Sequence, residues 1–170
     1  MFETCYSPYD VAHLLRHRYG LPVELAAARA TVVCGQLLDA VDMPAGLGSR
    51  VLDILHERNV GPVVVDPRDT TWTFLVTPVA RADGYHRDIL LAHGAGVRAA
   101  GRRVMLPMSD HGFGWRWARA PRPGALRLPA GSTVSDALVR LAGAPRPKPD
   151  NPVRDSASNS EATSPVGCRP

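Results

Sequence analysis

Cysteine, lysine and long apolar runs are all scarce in this sequence of 170 residues. Its three cysteines, Cys5, Cys34 and Cys168, show no metal-ligand spacing, which argues against a disulfide framework and against a zinc site. No apolar run reaches the length of a membrane span, and the N-terminus lacks a basic region followed by an apolar one. We therefore expect a cytoplasmic protein in a reducing environment, with no membrane partner.

Positive charge is modest in total but unevenly placed. The formal net charge is +4, and arginine supplies all but one of the 20 cationic residues. Residues 1–100 carry nine arginines against eleven acids, whereas residues 101–144 carry seven arginines against two acids. Because clustered arginines attract phosphates, this basic third predicts an anionic partner. The cluster consists of Arg102, Arg103, Arg116, Arg119, Arg122 and Arg127.

The length suits a single domain, and the composition changes near residue 144. Residues 145–170 are rich in proline, serine and asparagine, and they hold too little apolar surface to offset the entropy lost on ordering. We expect one domain at 1–144, followed by a disordered tail at 145–170.

Capping signals and apolar spacing predict helices that alternate with strands. Ser7, Pro8 and Asp10 predict the start of a first helix, and Gly20 predicts its end. The segment 21–44 begins with alanines that favour a second helix and continues into a strand that Pro44 ends. The order of the predicted helices and strands along the chain indicates an α+β domain with a mainly antiparallel sheet and flanking helices. The other expected elements are helices at 46–61, 83–94 and 131–143, a hairpin at 62–78, and strands within 101–107 and 114–118.

Two acids, Asp39 and Asp42, follow an apolar run in the manner of carboxylates at a strand end. Paired carboxylates suit Mg²⁺ or Mn²⁺, which take oxygen ligands and bridge nucleotide phosphates. Residues three apart on a strand point to opposite faces, so both acids reach one ion only if the strand ends or bulges between them. The alternative is one strand-end acid and one turn-capping acid, without a metal.

Ser109 and His111 follow an expected strand in the stretch "MLPMSDHGFG". Their hydroxyl and imidazole groups can contact triphosphate oxygens, and Gly112 and Gly114 allow a close approach of the backbone. A hydrolase triad is less consistent with the sequence, because no GxSxG elbow surrounds Ser109. The alternative is a turn in which Ser109 and Asp110 satisfy local backbone groups.

Trp115 and Trp117 stand two residues apart, with Arg116 between them and Arg119 after them. On a strand the two indoles share one face, and Arg116 points the other way. Aromatic side chains flanked by arginines can stack on the bases and bind the phosphates of single-stranded nucleic acid. They can equally be core aromatics, which is the usual role of tryptophan.

Two segments together resemble a known family. They read "GPVVVDPRDTTWTFLVTPVA" at 61–80 and "GRRVMLPMSDHGFGWRWARAPRPG" at 101–124. Both are similar to the N-terminal domain of bifunctional DNA primase/polymerases, in its small actinobacterial branch. The resemblance covers roughly residues 37–128. Its most specific part is the Pro-x-Ser-x-His-Gly to Trp-x-Arg stretch.

The resemblance implies a primase-type fold in which acids bind metal, while a serine and a histidine hold the phosphates of the incoming nucleotide. Carried over by position, Asp39 and Asp42 are the catalytic metal carboxylates, and Ser109 and His111 bind the nucleotide. The chain departs from the family pattern at Trp72, where the family has a histidine. Its acids are also three apart, where the family has Asp-x-Asp.

Together, these observations predict a degenerate primase/polymerase-like domain that binds nucleic acid or a nucleotide through residues 101–127. Single-stranded or duplex DNA is the expected partner, and a nucleotide is a further ligand. Nucleotidyl transfer with Mg²⁺ or Mn²⁺ is a second hypothesis. A third is a regulatory or scaffold protein that retains the fold and uses Trp115 and Trp117 in its core or against a protein partner.

Overall fold

Helices and strands follow one another closely along the chain. The computed structural model describes residues 1–55, 61–78, 84–110 and 114–143, and within these ranges it has four helices and eight strands. The strands form two sheets with antiparallel pairing throughout the described residues, so the predicted α+β class is confirmed, with two sheets in place of one. The elements are α1 (Pro8–Tyr19), β1 (Val23–Ala26), β2 (Arg29–Val33), β3 (Asp39–Pro44), α2 (Ala45–Ile54), β4 (Val63–Val65), β5 (Thr71–Val76), α3 (Gly84–Ala92), β6 (Gly96–Val97), β7 (Arg103–Met105), β8 (Arg116–Arg119) and α4 (Gly131–Gly143).

Helix α1 is specified by its own residues. The backbone N–H of Asp10 donates to the Ser7 hydroxyl at 3.2 Å, and the Asp10 carboxylate accepts from the Ser7 N–H at 2.9 Å, which is a capping box. At the other end, Gly20 has a φ of 67°, the left-handed conformation that commonly follows a helix. Val11 and Leu15 are buried on one side of the helix. The predicted first helix is confirmed at both ends.

A β-hairpin occupies the alanine-rich segment after α1. Strands β1 and β2 pair across a turn at Ala27 and Ala28, which have φ values of 48° and 58°. The predicted second helix is therefore wrong. Strand β2 also pairs with β7, and its Val32 is fully buried. This pairing and burial outweigh the helix propensity of alanine, which amounts to only a few tenths of a kcal/mol per residue against most other residues.

The five-stranded sheet has the order β6-β3-β5-β4-β8. Strand β3 pairs with β5 continuously, from Asp39 opposite Val76 to Pro44 opposite Thr71. Strands β4 and β5 form the predicted hairpin, which is confirmed. Strand β8 lies at the sheet edge beside β4, with Arg116 opposite Val65. This register brings the start of β8 next to the β4–β5 turn.

Two hydrophobic clusters cover the two faces of the five-stranded sheet. On one face, Val64 and Leu75 join apolar residues of α1 and of the three-stranded sheet β1-β2-β7. On the other face, Val63 and Phe74 join apolar residues of α2, α3 and α4. Successive strand residues point to opposite faces, so the central strands are apolar on both sides. The protein is thus layered, with the five-stranded sheet in the middle.

The later helices lie where the sequence predicts them. Helix α2 begins as predicted but ends at Ile54, earlier than expected, with Leu55 as its cap, and residues 56–60 lie outside the described ranges. Helix α3 is followed by Gly94 with a φ of 76°. Helix α4 coincides with the predicted span 131–143. Within the described ranges, the longest helix is too short, and too rich in polar residues, to cross a bilayer. The end of the predicted domain at 144 and the predicted disordered tail at 145–170 lie outside the described residues.

Candidate nucleic-acid interface

A groove opens beside the β4–β5 turn, with a volume of about 390 Å³ and a wide mouth to solvent. Three separate segments of the chain form it: the turn with the start of β5, the residue that follows β6, and the residue that precedes β8. The lining residues are Asp66, Pro67, Arg68, Thr70, Thr71, Thr73, Arg98 and Trp115. The groove therefore combines guanidinium groups, hydroxyl groups, one indole and the carboxylate of Asp66.

The turn at the rim of the groove is held by Asp66. Its carboxylate accepts hydrogen bonds from the backbone N–H groups of Thr70 and Thr71, each at 2.7 Å, and from the Thr70 hydroxyl at 3.0 Å. Burial acts to raise the pKa of Asp66, but the hydrogen bonds from Thr71 and Thr70 outweigh it and hold the pKa below its usual value. Arg68 is exposed on this turn and has no ion-pair partner in the described part of the chain.

Asp69 connects the turn to two strands. Arg116 donates from Nη2 to Asp69 Oδ1 at 2.9 Å, and Trp72 Nε1 donates to the same oxygen at 3.3 Å. The Trp72 side chain packs on the helical side of the sheet, where a Cβ added to Gly48 would stand only 2.6 Å from Trp72 Cβ. Arg116, a predicted nucleic-acid contact, is therefore paired with Asp69. Trp72 has a packing role at the position where the family has a histidine.

An ion pair between Asp42 and Arg98 borders the groove. Arg98 donates from Nε to Asp42 Oδ2 at 2.9 Å and from Nη2 to Asp42 Oδ1 at 2.8 Å. Thr73 opposes Asp42 across the β3–β5 pairing, and its hydroxyl donates to Asp42 Oδ1 at 2.7 Å. Arg98 Nη1 donates to the carbonyl of Arg103 at 2.8 Å. The Arg98 guanidinium is thus fixed on two sides, while its side chain keeps 23% exposure.

Asp39 and Asp42 do not converge. The β3–β5 register runs from Asp39 to Pro44 without a bulge, so strand alternation directs the two carboxylates to opposite faces. Asp39 is 7% exposed at the start of the strand. In the described ranges, no three or more His, Cys, Asp and Glu side chains form a group that could hold a metal ion. As placed, the two acids do not fit one shared metal site, and their catalytic role stays a prediction.

The predicted nucleotide-binding pair is only partly described. Ser109 is exposed after β7, and His111 lies outside the described residues. Between them, the Asp110 carboxylate accepts hydrogen bonds from the Phe2 N–H at 2.7 Å and from the Met1 amine at 2.6 Å. Asp110 thus contacts backbone groups more than a hundred positions away in the chain. The nucleotide-binding role of Ser109 and His111 stays a prediction.

The two tryptophans pack against the same hydrophobic cluster, on the α1 side of the five-stranded sheet, and both are partly buried. Trp117 opposes Val64, and its Nε1 is buried without a hydrogen-bond partner in the described chain. Trp115 precedes the strand and lines the groove. Trp117 therefore packs against the core, whereas Trp115 packs against the same cluster and also lines the groove.

The remaining predicted arginines are divided between two sheets. Arg103 begins β7 in the three-stranded sheet, Arg102 directly precedes it, and Arg119 ends β8 in the other sheet. Arg103 pairs with Glu24, with Nη2 3.1 Å from Oε2. Arg102 is exposed and Arg119 is partly buried, and neither has an ion-pair partner among the described residues. The predicted basic face is therefore not one continuous surface of a single sheet.

Sequence reasoning missed Arg98, Arg68 and Thr73 as lining residues of the groove. Arg98 belongs to no motif, and its partner Asp42 is 56 positions away in the chain. Arg68 and Thr73 lie within the hairpin that the sequence predicted, but a hairpin pattern does not indicate which of its residues line a groove. The signal that was present is the sequence Asp-Pro-Arg-Asp-Thr-Thr at 66–71, whose acids and threonines favour a hydrogen-bonded turn.

Comparison of the chain with family models, with curated proteins and with solved structures finds no match.

Proposed function

We propose that this protein is a degenerate primase/polymerase-like domain that binds single-stranded DNA through the groove and has no nucleotidyl-transfer activity of its own. One observation carries the proposal: Trp115, Arg98 and the threonines of the β4–β5 hairpin line the same groove, although they come from three distant segments. Bases stack on aromatic rings, and guanidinium and hydroxyl groups bind phosphates. The primase-type fold is part of this proposal and rests on the resemblance of residues 37–128.

The shape of the groove favours an unpaired strand over a duplex. Small-molecule pockets have volumes of about 300–1,000 Å³, and the groove, at about 390 Å³, lies at the low end of that range. It suits one nucleotide unit, and its wide mouth leaves room for the strand to continue outside it. The indole of Trp115 can reach a base only where that base is unstacked, as in single strands.

The arrangement of the acids supports the proposed absence of catalysis. Nucleotidyl transfer of the primase type needs two carboxylates on shared metal ions, and strand alternation directs Asp39 and Asp42 to opposite faces. Asp42 is also engaged on both oxygens by Arg98. A cytoplasmic location completes the proposal and agrees with the free thiols of Cys5 and Cys34.

A scaffold function is the second candidate, and the ion pairs favour it. Arg98, Arg103 and Arg116 are each paired with an acid of the same chain, which reduces the positive charge available to a phosphate backbone. Trp117 also packs against the core. On this second candidate the groove binds no nucleic acid.

Fluorescence anisotropy with a labelled oligothymidylate separates the two candidates. We expect the wild type to bind with an affinity that falls as salt rises, because bound arginines release counterions from the phosphates. Trp115→Ala should cost about 1–3 kcal/mol of binding free energy, the usual value of one stacked base. Trp115→Phe keeps an aromatic face and should retain most of the affinity.

The control for these variants is Tyr85→Ala. Tyr85 is 71% exposed on α3, in the helical layer on the other side of the sheet, so its loss should leave binding unchanged. Circular dichroism and thermal unfolding identify any variant whose fold is lost. A wild type that does not bind the oligonucleotide would favour the scaffold candidate. A folded Trp115→Ala variant with full affinity would refute the stacking role of Trp115 and with it the proposed binding groove.

A further inference from the structure

The geometry points to a metal-independent phosphate site. In this site the Arg98 guanidinium contacts Asp42, where the sequence predicts a divalent cation. The inference rests on the proposed function for the identity of the ligand, a phosphodiester of single-stranded DNA. It concerns how the groove binds that phosphate, and it follows from the disagreement between the predicted metal pair and the observed contacts of Asp42.

Asp42 already has a cation. Its Oδ2 accepts from Arg98 Nε, and its Oδ1 accepts from Arg98 Nη2 and from the Thr73 hydroxyl, all at 2.7–2.9 Å. A divalent ion on either oxygen would be repelled by the guanidinium that already contacts both of them. Such bidentate, charge-assisted pairs are among the stronger hydrogen-bonded contacts in proteins. Asp39 faces the other side of the sheet and cannot serve as the second ligand.

Arg98 has more N–H donors than its hydrogen bonds within the protein use. A guanidinium carries five N–H donors. Three of them are used: Nε and one on Nη2 toward Asp42, and one on Nη1 toward the Arg103 carbonyl. The two remaining donors, one on each Nη, have no partner among the described residues, and Arg98 lines the groove. The guanidinium is therefore held by Asp42 and by the Arg103 carbonyl, and it keeps two N–H donors for a phosphate.

The surroundings of Arg98 supply further positive charge without a metal. The Asp42–Arg98 pair is neutral as a unit, so attraction of a phosphate needs a second cation. Arg68 on the same groove lining is exposed and unpaired within the described ranges. The Asp66 carboxylate on the same lining is occupied by hydrogen bonds from Thr70 and Thr71. The fixed guanidinium of Arg98 and the exposed one of Arg68 together suit a phosphodiester, which binds arginine through two parallel hydrogen bonds.

Anisotropy titrations of the full chain test this inference. The probe is the same labelled oligothymidylate, measured in EDTA, in Mg²⁺ and in Mn²⁺ at one matched ionic strength. We expect the same affinity in all three buffers. Arg98→Ala should weaken binding by about tenfold or more, the usual value of hydrogen bonds to a charged group. Arg98→Lys keeps the charge but not the planar fork, and it should lose most of the same affinity.

The matched control is Arg140→Ala, which removes the same charge from an exposed position on α4, in the helical layer. Its affinity should equal that of the wild type. A labelled mononucleotide, thymidine monophosphate, distinguishes a free nucleotide from a strand as the source of the phosphate, and we expect it to bind more weakly than the oligonucleotide.

The outcomes are distinct. Binding that EDTA abolishes and Mn²⁺ restores overturns the inference but leaves the proposed function intact, and tighter binding of the mononucleotide overturns the phosphodiester assignment. No binding in any buffer overturns the proposed function itself. The buffer comparison uses the wild type alone, so it decides the inference even where Arg98→Ala fails to fold. A rise in the wild-type unfolding temperature with Mn²⁺ that Asp42→Asn removes would also contradict the inference.

Discussion

Asp66 is a single residue that holds the turn at the rim of the groove in place. Its carboxylate binds the backbone of Thr70 and Thr71 and the Thr70 hydroxyl, and these contacts fix the turn that carries Arg68. Although burial opposes the effect, the hydrogen bonds lower the pKa of Asp66 in the folded protein. A carboxylate with a lowered pKa stabilises the fold above its unfolded pKa of about 4, and that stability is lost as the pH falls through the folded pKa.

The prediction concerns the pH dependence of stability. We expect the free energy of unfolding of the wild type to fall more steeply between about pH 5 and pH 3 than that of Asp66→Asn, which keeps an oxygen acceptor but does not titrate. Urea denaturation at a series of pH values measures both. Parallel curves for the two proteins would show that Asp66 does not contribute to acid sensitivity.

At the residue scale, the sequence predicted the shared face of Trp115 and Trp117, whereas their contact with nucleic acid stays a prediction. Its spacing from Trp117 placed both indoles on one strand face, and both do pack against one cluster. Arg98 could not be found in the same way, because its role arises from Asp42 on a strand far away in the chain. The spacing of residues in the sequence indicates on which face of a strand or helix a side chain lies. The residue that it contacts on that face depends on the tertiary fold.

At the scale of elements, predictions succeeded where the signal was local. The capping box of α1 and the turn between β4 and β5 are both made by residues within a few positions of one another. The hairpin of β1 and β2 was missed because alanine favours helix, whereas β2 is held by its pairing with β7. The hairpin requires positive φ values at Ala27 and Ala28, which are unfavourable for alanine.

The turn between β1 and β2 offers a stability test. A left-handed conformation costs a non-glycine residue roughly 1–2 kcal/mol, and glycine avoids this cost but gains about 0.4–1 kcal/mol of entropy in the unfolded chain. We expect Ala28→Gly to raise the free energy of unfolding by about 0.5–1 kcal/mol. Chemical denaturation provides the measurement.

The control for this substitution is a second glycine variant that is expected to lower the stability instead of raising it. Ala92→Gly alters an exposed residue at the end of α3, where the backbone is helical, and should lower stability by up to about 1 kcal/mol. If Ala28→Gly also lowers stability, the left-handed turn is not the source of strain that its φ values indicate.

At the scale of the whole molecule, the class of fold was predictable and its layering was not. Runs such as Val63–Val65 are apolar at every position, which is typical of a strand buried on both faces. The sequence does not indicate which elements pack on each face of the five-stranded sheet. Here the three-stranded sheet with α1 covers one face and the helices cover the other, and the groove lies beside the β4–β5 turn. Its lining depends on pairings between distant strands, so no local pattern predicted it.

Photo-crosslinking tests the central claim, that the groove is where single-stranded DNA binds, most directly. An oligonucleotide with bromodeoxyuridine in place of thymidine is irradiated with the wild-type protein, and the modified peptides are mapped by mass spectrometry. We predict crosslinks at Trp115 and within residues 66–73, suppressed by excess unlabelled oligothymidylate and unchanged in Arg140→Ala. Crosslinks confined to the helical layer of α2, α3 and α4, or no specific crosslinks at all, would contradict the claim.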